Sequence, residues 1–160
     1  MKILVLGVGN PTLGDDGSGL YVARELRKKI SRKKLKIEVV IEESSSDWLT
    51  IAEKMVDYDE VILIDTAVVN EERLVGRIFK FDLKGLDKRY EYSYMLHNLS
   101  LSSAIEIIRS LSPEETPEKV ILILIGIIEP KEFSDKLSPT IKRIIPKVVK
   151  EVLDEISKIN

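Results

Sequence analysis

The segment Leu6-Gly7-Val8-Gly9-Asn10-Pro11-Thr12-Leu13-Gly14-Asp15-Asp16-Gly17-Ser18-Gly19 joins two readable elements. Before it, Met1 to Leu6 is an apolar run that reads as a buried strand. After it, Leu20, Ala23, Leu26 and Ile30 recur at the spacing of one helix face. The segment is therefore a strand-to-helix crossover, and in open α/β sheets such crossovers lie at the carboxyl edge of the strands, where ligands bind. Its glycines and Pro11 shape a tight turn, and two adjacent carboxylates, Asp15 and Asp16, stand where the helix is about to start. A loop that only connected two elements would not need that combination.

The same alternation continues along the chain. Ile37 to Ile41 reads as a second strand, followed by an acidic, serine-rich loop from Glu42 to Ser46. Ser46 or Asp47 is placed to cap a helix carrying Trp48, Leu49, Ile51, Ala52 and Met55. Val61 to Ile64 is apolar at every position, as central parallel strands are, and runs straight into Asp65. Arg77 to Phe81 alternates and is expected as an edge strand, parallel or antiparallel. Leu83 to Tyr94 reads as a mobile or partner-facing loop. His97 is expected in a loop, with Asn98 or Ser100 capping a helix whose buried stripe is Leu101, Ala104, Ile105, Ile108 and Leu111. Val120 to Ile125 is another buried strand, and Ser138-Pro139 opens a last helix in which Pro146 predicts a kink or early interruption.

This pattern predicts an α/β fold: a three-layer α/β/α single domain over residues 1–160, with a mostly parallel, doubly wound sheet of about five strands. Right-handed crossovers favour the order 2-1-3-4 for the buried strands, with the extra strand at an edge. That order brings the loops after the first and third strands together, and with them Asp16 and Asp65.

Composition excludes several chemistries. At 160 residues the chain has 44% hydrophobic and 32% charged residues and a net charge of -2, so no global charge draws it to nucleic acid or membrane. No cysteine is present, which removes disulfides, thiolate catalysis and cysteine-held metal or iron–sulfur centres. The basic run from Arg27 to Lys36 lacks aromatics and reads as a solvated helix end. The first apolar run breaks at Gly7, too short for a signal peptide or a spanning helix, so a cytoplasmic protein is expected.

The early Gly-x-Gly invites a dinucleotide-binding reading with Glu42 as the ribose acid. Against it, Thr12 occupies the place of the third glycine, and Asp15 and Asp16 would repel a phosphate. No Gly-Lys-Ser/Thr follows for a Walker loop. Nor is there a Gly-x-Ser-x-Gly elbow, since Ser18 has glycine on both sides and reads as a capping residue. What remains is Asp16, Asp65 and the only histidine, His97. Two carboxylates and an imidazole suit a borderline divalent ion such as Zn²⁺ or Ni²⁺, with coordination left for water or substrate. A single histidine is more often structural, so the spacing alone leaves both readings open.

At these residues the sequence resembles the hydrogenase maturation endopeptidase family. The resemblance rests on Gly-x-Gly-Asn-Pro-x-x-Gly-Asp-Asp-Gly-x-Gly, then Ile64-Asp65-Thr66-Ala67, His97-Asn98-Leu99-Ser100 and Gly126-Ile127-Ile128-Glu129-Pro130, in that order. It implies an endopeptidase that removes the C-terminal peptide of a nickel-loaded [NiFe] hydrogenase large-subunit precursor. Carried over, the catalytic and metal-binding residues are Asp16, Asp65 and His97, with the nickel presented by the precursor. Gly9, Asn10 and Asp15 are candidate substrate contacts, Asp15 being equally placed to cap the helix. The chain departs from many relatives after the second strand, where Glu42-Glu43-Ser44 replaces an Asp-Gly pair, and in its Gly-Ile-x-Pro element, which is one residue longer. The alternative is a non-catalytic, nickel-dependent binding module or chaperone that uses the same side chains without hydrolysis.

Overall fold

The computed structural model describes residues 1–31, 35–83 and 96–159, with the backbone alone given for residues 96–100 and 102. In chain order its elements are β1 (Lys2–Val8), α1 (Ser18–Ile30), β2 (Glu38–Ser44), α2 (Trp48–Glu53), β3 (Glu60–Val68), β4 (Ile78–Asp82), α3 (Leu96–Leu111), β5 (Lys119–Ile127) and α4 (Pro139–Ile159). The sheet order is β2-β1-β3-β5-β4. The first three pairings are parallel and β4 is antiparallel to β5. This is the expected doubly wound arrangement with its additional antiparallel edge. The expected loop from Leu83 to Tyr94 falls almost wholly outside the described residues.

Side chains alternate across a strand, so each central strand contributes to two cores. Ile62 and Ile64 of β3 pack with Val22 and Leu26 of α1 and with the α4 stripe of Ile141, Ile145, Val148, Val149, Val152 and Ile156. Val61 and Leu63 face the other way, against Ile51 of α2, Met55 just after it, and Leu101 and Ile105 of α3. β1, β3 and β5 are apolar on both faces because helices cover both. The helices meet the sheet closely: a Cβ built on Gly19 of α1 would stand 2.2 Å from the Val8 carbonyl and 2.6 Å from that of Ile64. Only glycine lets α1 start so near the junction of β1 and β3.

Three local expectations are corrected. Glu42, Glu43 and Ser44 belong to β2, which runs on through the acidic residues. Edge position explains this, since Glu43 reaches Arg24 and Arg27 of α1 while Glu42 pairs with Lys54. His97, Asn98 and Ser100 lie within α3, which extends back to Leu96. Of the kink or early interruption expected at Pro146, the interruption does not occur: α4 runs on to Ile159, its apolar stripe holding both halves on one core. Asp47 caps α2 as expected, accepting from the backbone N–H groups of Leu49 and Thr50. Among the described residues no helix is long and apolar enough to cross a membrane.

Candidate active site

The crossover after β1 folds back on itself. The turn Gly14–Gly17 is a short 3-10 helix leading directly into α1. Gly9 makes this possible, because a Cβ there would lie 2.0 Å from the Asp16 carbonyl. The backbone N–H of Asn10 donates to Asp16 Oδ2 at 3.0 Å, and the hydroxyl of Thr66 donates to Oδ1 at 2.8 Å. Asp16 is thus held from its own loop and from β3. Each oxygen accepts one bond and keeps a lone pair for another ligand.

Asp65 lies inside β3, three positions before its end at Val68, whereas the sequence pattern placed it just after the strand. The strand is longer because β5 continues beside it, pairing Asp65 with Leu124 and Val68 with Ile127. β1 has ended its pairing with β3 at Gly7↔Ile64, so Asp65 stands at the mouth of the cleft between β1 and β3. By alternation Thr66 takes the α1 side, where it meets Asp16, and Asp65 the α2 and α3 side.

Asp65 is buried, 8% exposed. Burial, reinforced by the negative charge of Asp16 and opposed by a hydrogen bond from the Thr66 backbone, pushes its carboxyl up to about 7. The two carboxylates therefore lie within each other's field. A divalent cation between them would cancel the repulsion and release the proton from Asp65, so the oxygen donors suit such an ion.

His97 is in the first turn of α3. α3 is the crossover into β5, whose first residue, Lys119, pairs with Glu60 at the amino edge of the sheet, so α3 begins at the carboxyl edge. Asp65 and His97 thus share one edge and one face of the sheet at the level of the backbone; the histidine side chain is outside the described residues. Among those residues no three His, Asp or Glu side chains converge as a metal site, so the described donors amount to the Asp16–Asp65 pair.

The other candidates play visible structural parts. Asn10 Oδ1 accepts from the N–H and hydroxyl of Thr12, closing the turn. The N–H of Gly9 donates to the Ser44 carbonyl, tying the loop to the end of β2. Asp15 reaches forward 123 residues, its Oδ1 accepting from the Ser138 N–H at 2.6 Å. It anchors Ser138, the residue that caps α4, a partner no local pattern reveals. Ser18 does not cap α1: the cap position is Gly17, and the buried Ser18 hydroxyl has no hydrogen-bond partner among the described residues. Thr66 was missed as a site residue in the sequence; its signals were its place directly after Asp65 and its presence in the Ile64-Asp65-Thr66-Ala67 motif.

A family model described as hydrogenase maturation protease matches residues 20–155. The chain belongs to this family. The protease is also similar to two curated relatives. It is 28% identical to the hydrogenase 2 maturation protease of Escherichia coli, over 96% of this chain and 89% of the relative. It is 27% identical to the coenzyme F420 hydrogenase subunit delta of Methanothermobacter thermautotrophicus, over 97% and 94% of the two chains. Two solved structures share the fold. The hydrogenase maturating endopeptidase HybD from E. coli superposes with a TM-score of 0.70 at 24% identity, covering 99% of the protease and 93% of HybD. The [NiFe] hydrogenase maturation protease HybD from Thermococcus kodakarensis gives 0.72 at 19% identity, with 98% and 99% covered. The endopeptidase reading of the sequence therefore holds over the non-catalytic alternative.

Proposed function

We propose that the protease removes the C-terminal peptide of a [NiFe] hydrogenase large-subunit precursor after nickel has been inserted, and that Asp16, Asp65 and His97 are the residues that contact this nickel. The nickel belongs to the substrate. The observation that carries the proposal is the raised carboxyl of Asp65 beside Asp16. Such a pair is costly in the free protein and is relieved when a dication arrives, so productive binding favours a precursor that holds its metal.

Hydrolysis of the peptide bond needs a polarised carbonyl or water and a group that carries a proton between water and the leaving amine. Asp65, freed of its proton once the dication arrives, is suited to accept one from the attacking water and pass it to the leaving amine. Asp16, fixed by Thr66 and Asn10, supplies a positioned carboxylate. Gly9 and Asn10, on the loop that holds Asp16, are the proposed contacts for the extended chain of the precursor.

Mass spectrometry of nickel-loaded precursor incubated with the protease tests this reading. The wild type is expected to yield a shortened C-terminus and Asp16→Asn, Asp65→Asn and His97→Ala an intact one. Wild-type cleavage by the His97 variant would remove the histidine from the proposal, and an intact precursor in a stable wild-type complex would overturn the assigned reaction.

A further inference from the structure

A groove of about 550 Å³ runs between α1 and α4, away from the Asp16–Asp65 pair. Leu137 and Pro146 supply apolar surface above the buried Ile145 and Val149, and Lys29, Lys136 and Lys142 stand around it. The three lysines are exposed and have no ion-pair partner among the described residues, whereas the acid on the same rim, Glu25, is paired with Lys28 at 2.6 Å. In a chain whose net charge is -2, a cationic rim of this kind is a local feature.

Pro146, in the interior of α4, faces this groove with its ring. The groove thus combines apolar side chains with three uncompensated cations. That set matches a peptide segment with apolar side chains and carboxylates. A single-stranded nucleic acid stacks its bases on open aromatic faces, and the Tyr21 ring already has the Arg24 guanidinium 5.6 Å from its centre and its hydroxyl bonded to the Asp135 carbonyl.

The groove is continuous with the catalytic end of the molecule. Lys136 and Leu137 also line a neighbouring depression of about 400 Å³ that includes Gly14, Asp15, Ile128 and Pro130. The Ser134 N–H donates to the Thr12 carbonyl and its carbonyl accepts from the Gly14 N–H, so this wall is laced to the loop that holds Asp16.

We propose that the α1–α4 groove is a docking site for an acidic, apolar segment of the hydrogenase large-subunit precursor, separate from the scissile peptide. The occupant's identity rests on the proposed function, and the test keeps the two apart. Binding of nickel-loaded precursor is measured by interferometry, and cleavage by mass spectrometry, for the wild type and for the triple variant Lys29→Glu/Lys136→Glu/Lys142→Glu. The variant is expected to bind at least tenfold more weakly and to show a correspondingly raised KM with kcat little changed. Wild-type affinity is expected to fall with added salt. Circular dichroism melting checks the fold, and Lys29→Gln/Lys136→Gln/Lys142→Gln, which adds no negative charge, is expected to lose affinity to a smaller degree. Unchanged affinity in the folded variants, or no wild-type binding, would overturn the groove. Groove-dependent binding without cleavage would overturn the reaction and keep the groove. Tight binding of a single-stranded RNA oligomer that the same substitutions abolish would overturn the peptide assignment.

Discussion

The hydroxyl of Thr66 donates to Oδ1 of Asp16 at 2.8 Å, joining residues 50 positions apart across the carboxyl edge of the sheet. It orients the carboxylate proposed to meet the substrate's nickel. Thr66→Val keeps the shape and removes the donor. Processing, read as kcat/KM on nickel-loaded precursor, is expected to fall about tenfold, the effect of losing roughly 1.4 kcal/mol of positioning. Melting is expected to change little because the site is half open to water. An unchanged rate would show that the Asn10 N–H alone holds Asp16.

Asp65 makes stability depend on pH. Its carboxyl stands at about 7 in the folded protein against 3.8 ordinarily. Below about pH 4 both folded and unfolded chains hold the proton and the group costs nothing. Between about pH 4 and 7 the unfolded chain has given it up and the folded one has not, so stability falls as pH rises. Above that the cost levels off, at roughly 4 kcal/mol. Asp65→Asn is expected to abolish processing and to gain stability over the wild type progressively through that window. Urea unfolding at acid, intermediate and alkaline pH checks this, and parallel profiles for the two proteins would contradict it.

Glycines of the crossover segment are not equivalent. A Cβ at Gly19 would stand 2.2 Å from the backbone oxygen of Val8, so Gly19→Ala must push α1 away from the sheet. A loss of about 3 kcal/mol or more is expected. Gly14 has a φ of +55° with its nearest neighbours at 3.5 Å and beyond, so Gly14→Ala bears backbone strain alone, about 1 kcal/mol. Comparing urea midpoints of the two variants tests the ranking.

Asp15 separates from its neighbour by the bond to Ser138. Asp15→Ala is expected to lower stability by about 1 kcal/mol, the value of a lost hydrogen bond, and to leave kcat within a few-fold of wild type. A loss of processing as large as that from Asp16→Asn would instead place Asp15 among the reacting groups.

Much of the architecture was legible because its signals are local. Continuous apolar runs identify β1, β3 and β5, and Ser138-Pro139 marks the start of α4, where Ser138 Oγ accepts from the Ile141 N–H. The glycine-rich crossover with its two acids identified one carboxylate of the site. Strand ends were less legible. β2 absorbs two glutamates because arginines of α1 and a lysine after α2 neutralise them. β3 outruns its apolar stretch because β5 offers hydrogen bonds as far as Val68.

By itself, the sequence determined the alternation of strands and helices, the parallel core and the identity of Asp16, Asp65 and His97 as candidates, since periodicity and turn chemistry act over a few residues. Only the tertiary structure decided that Thr66 holds Asp16, that Asp15 belongs to α4, and that burial beside Asp16 leaves Asp65 with a carboxyl poised near neutrality. Those properties arise from desolvation and from hydrogen bonds between segments distant in the chain, and both exist only once the sheet has brought its loops together.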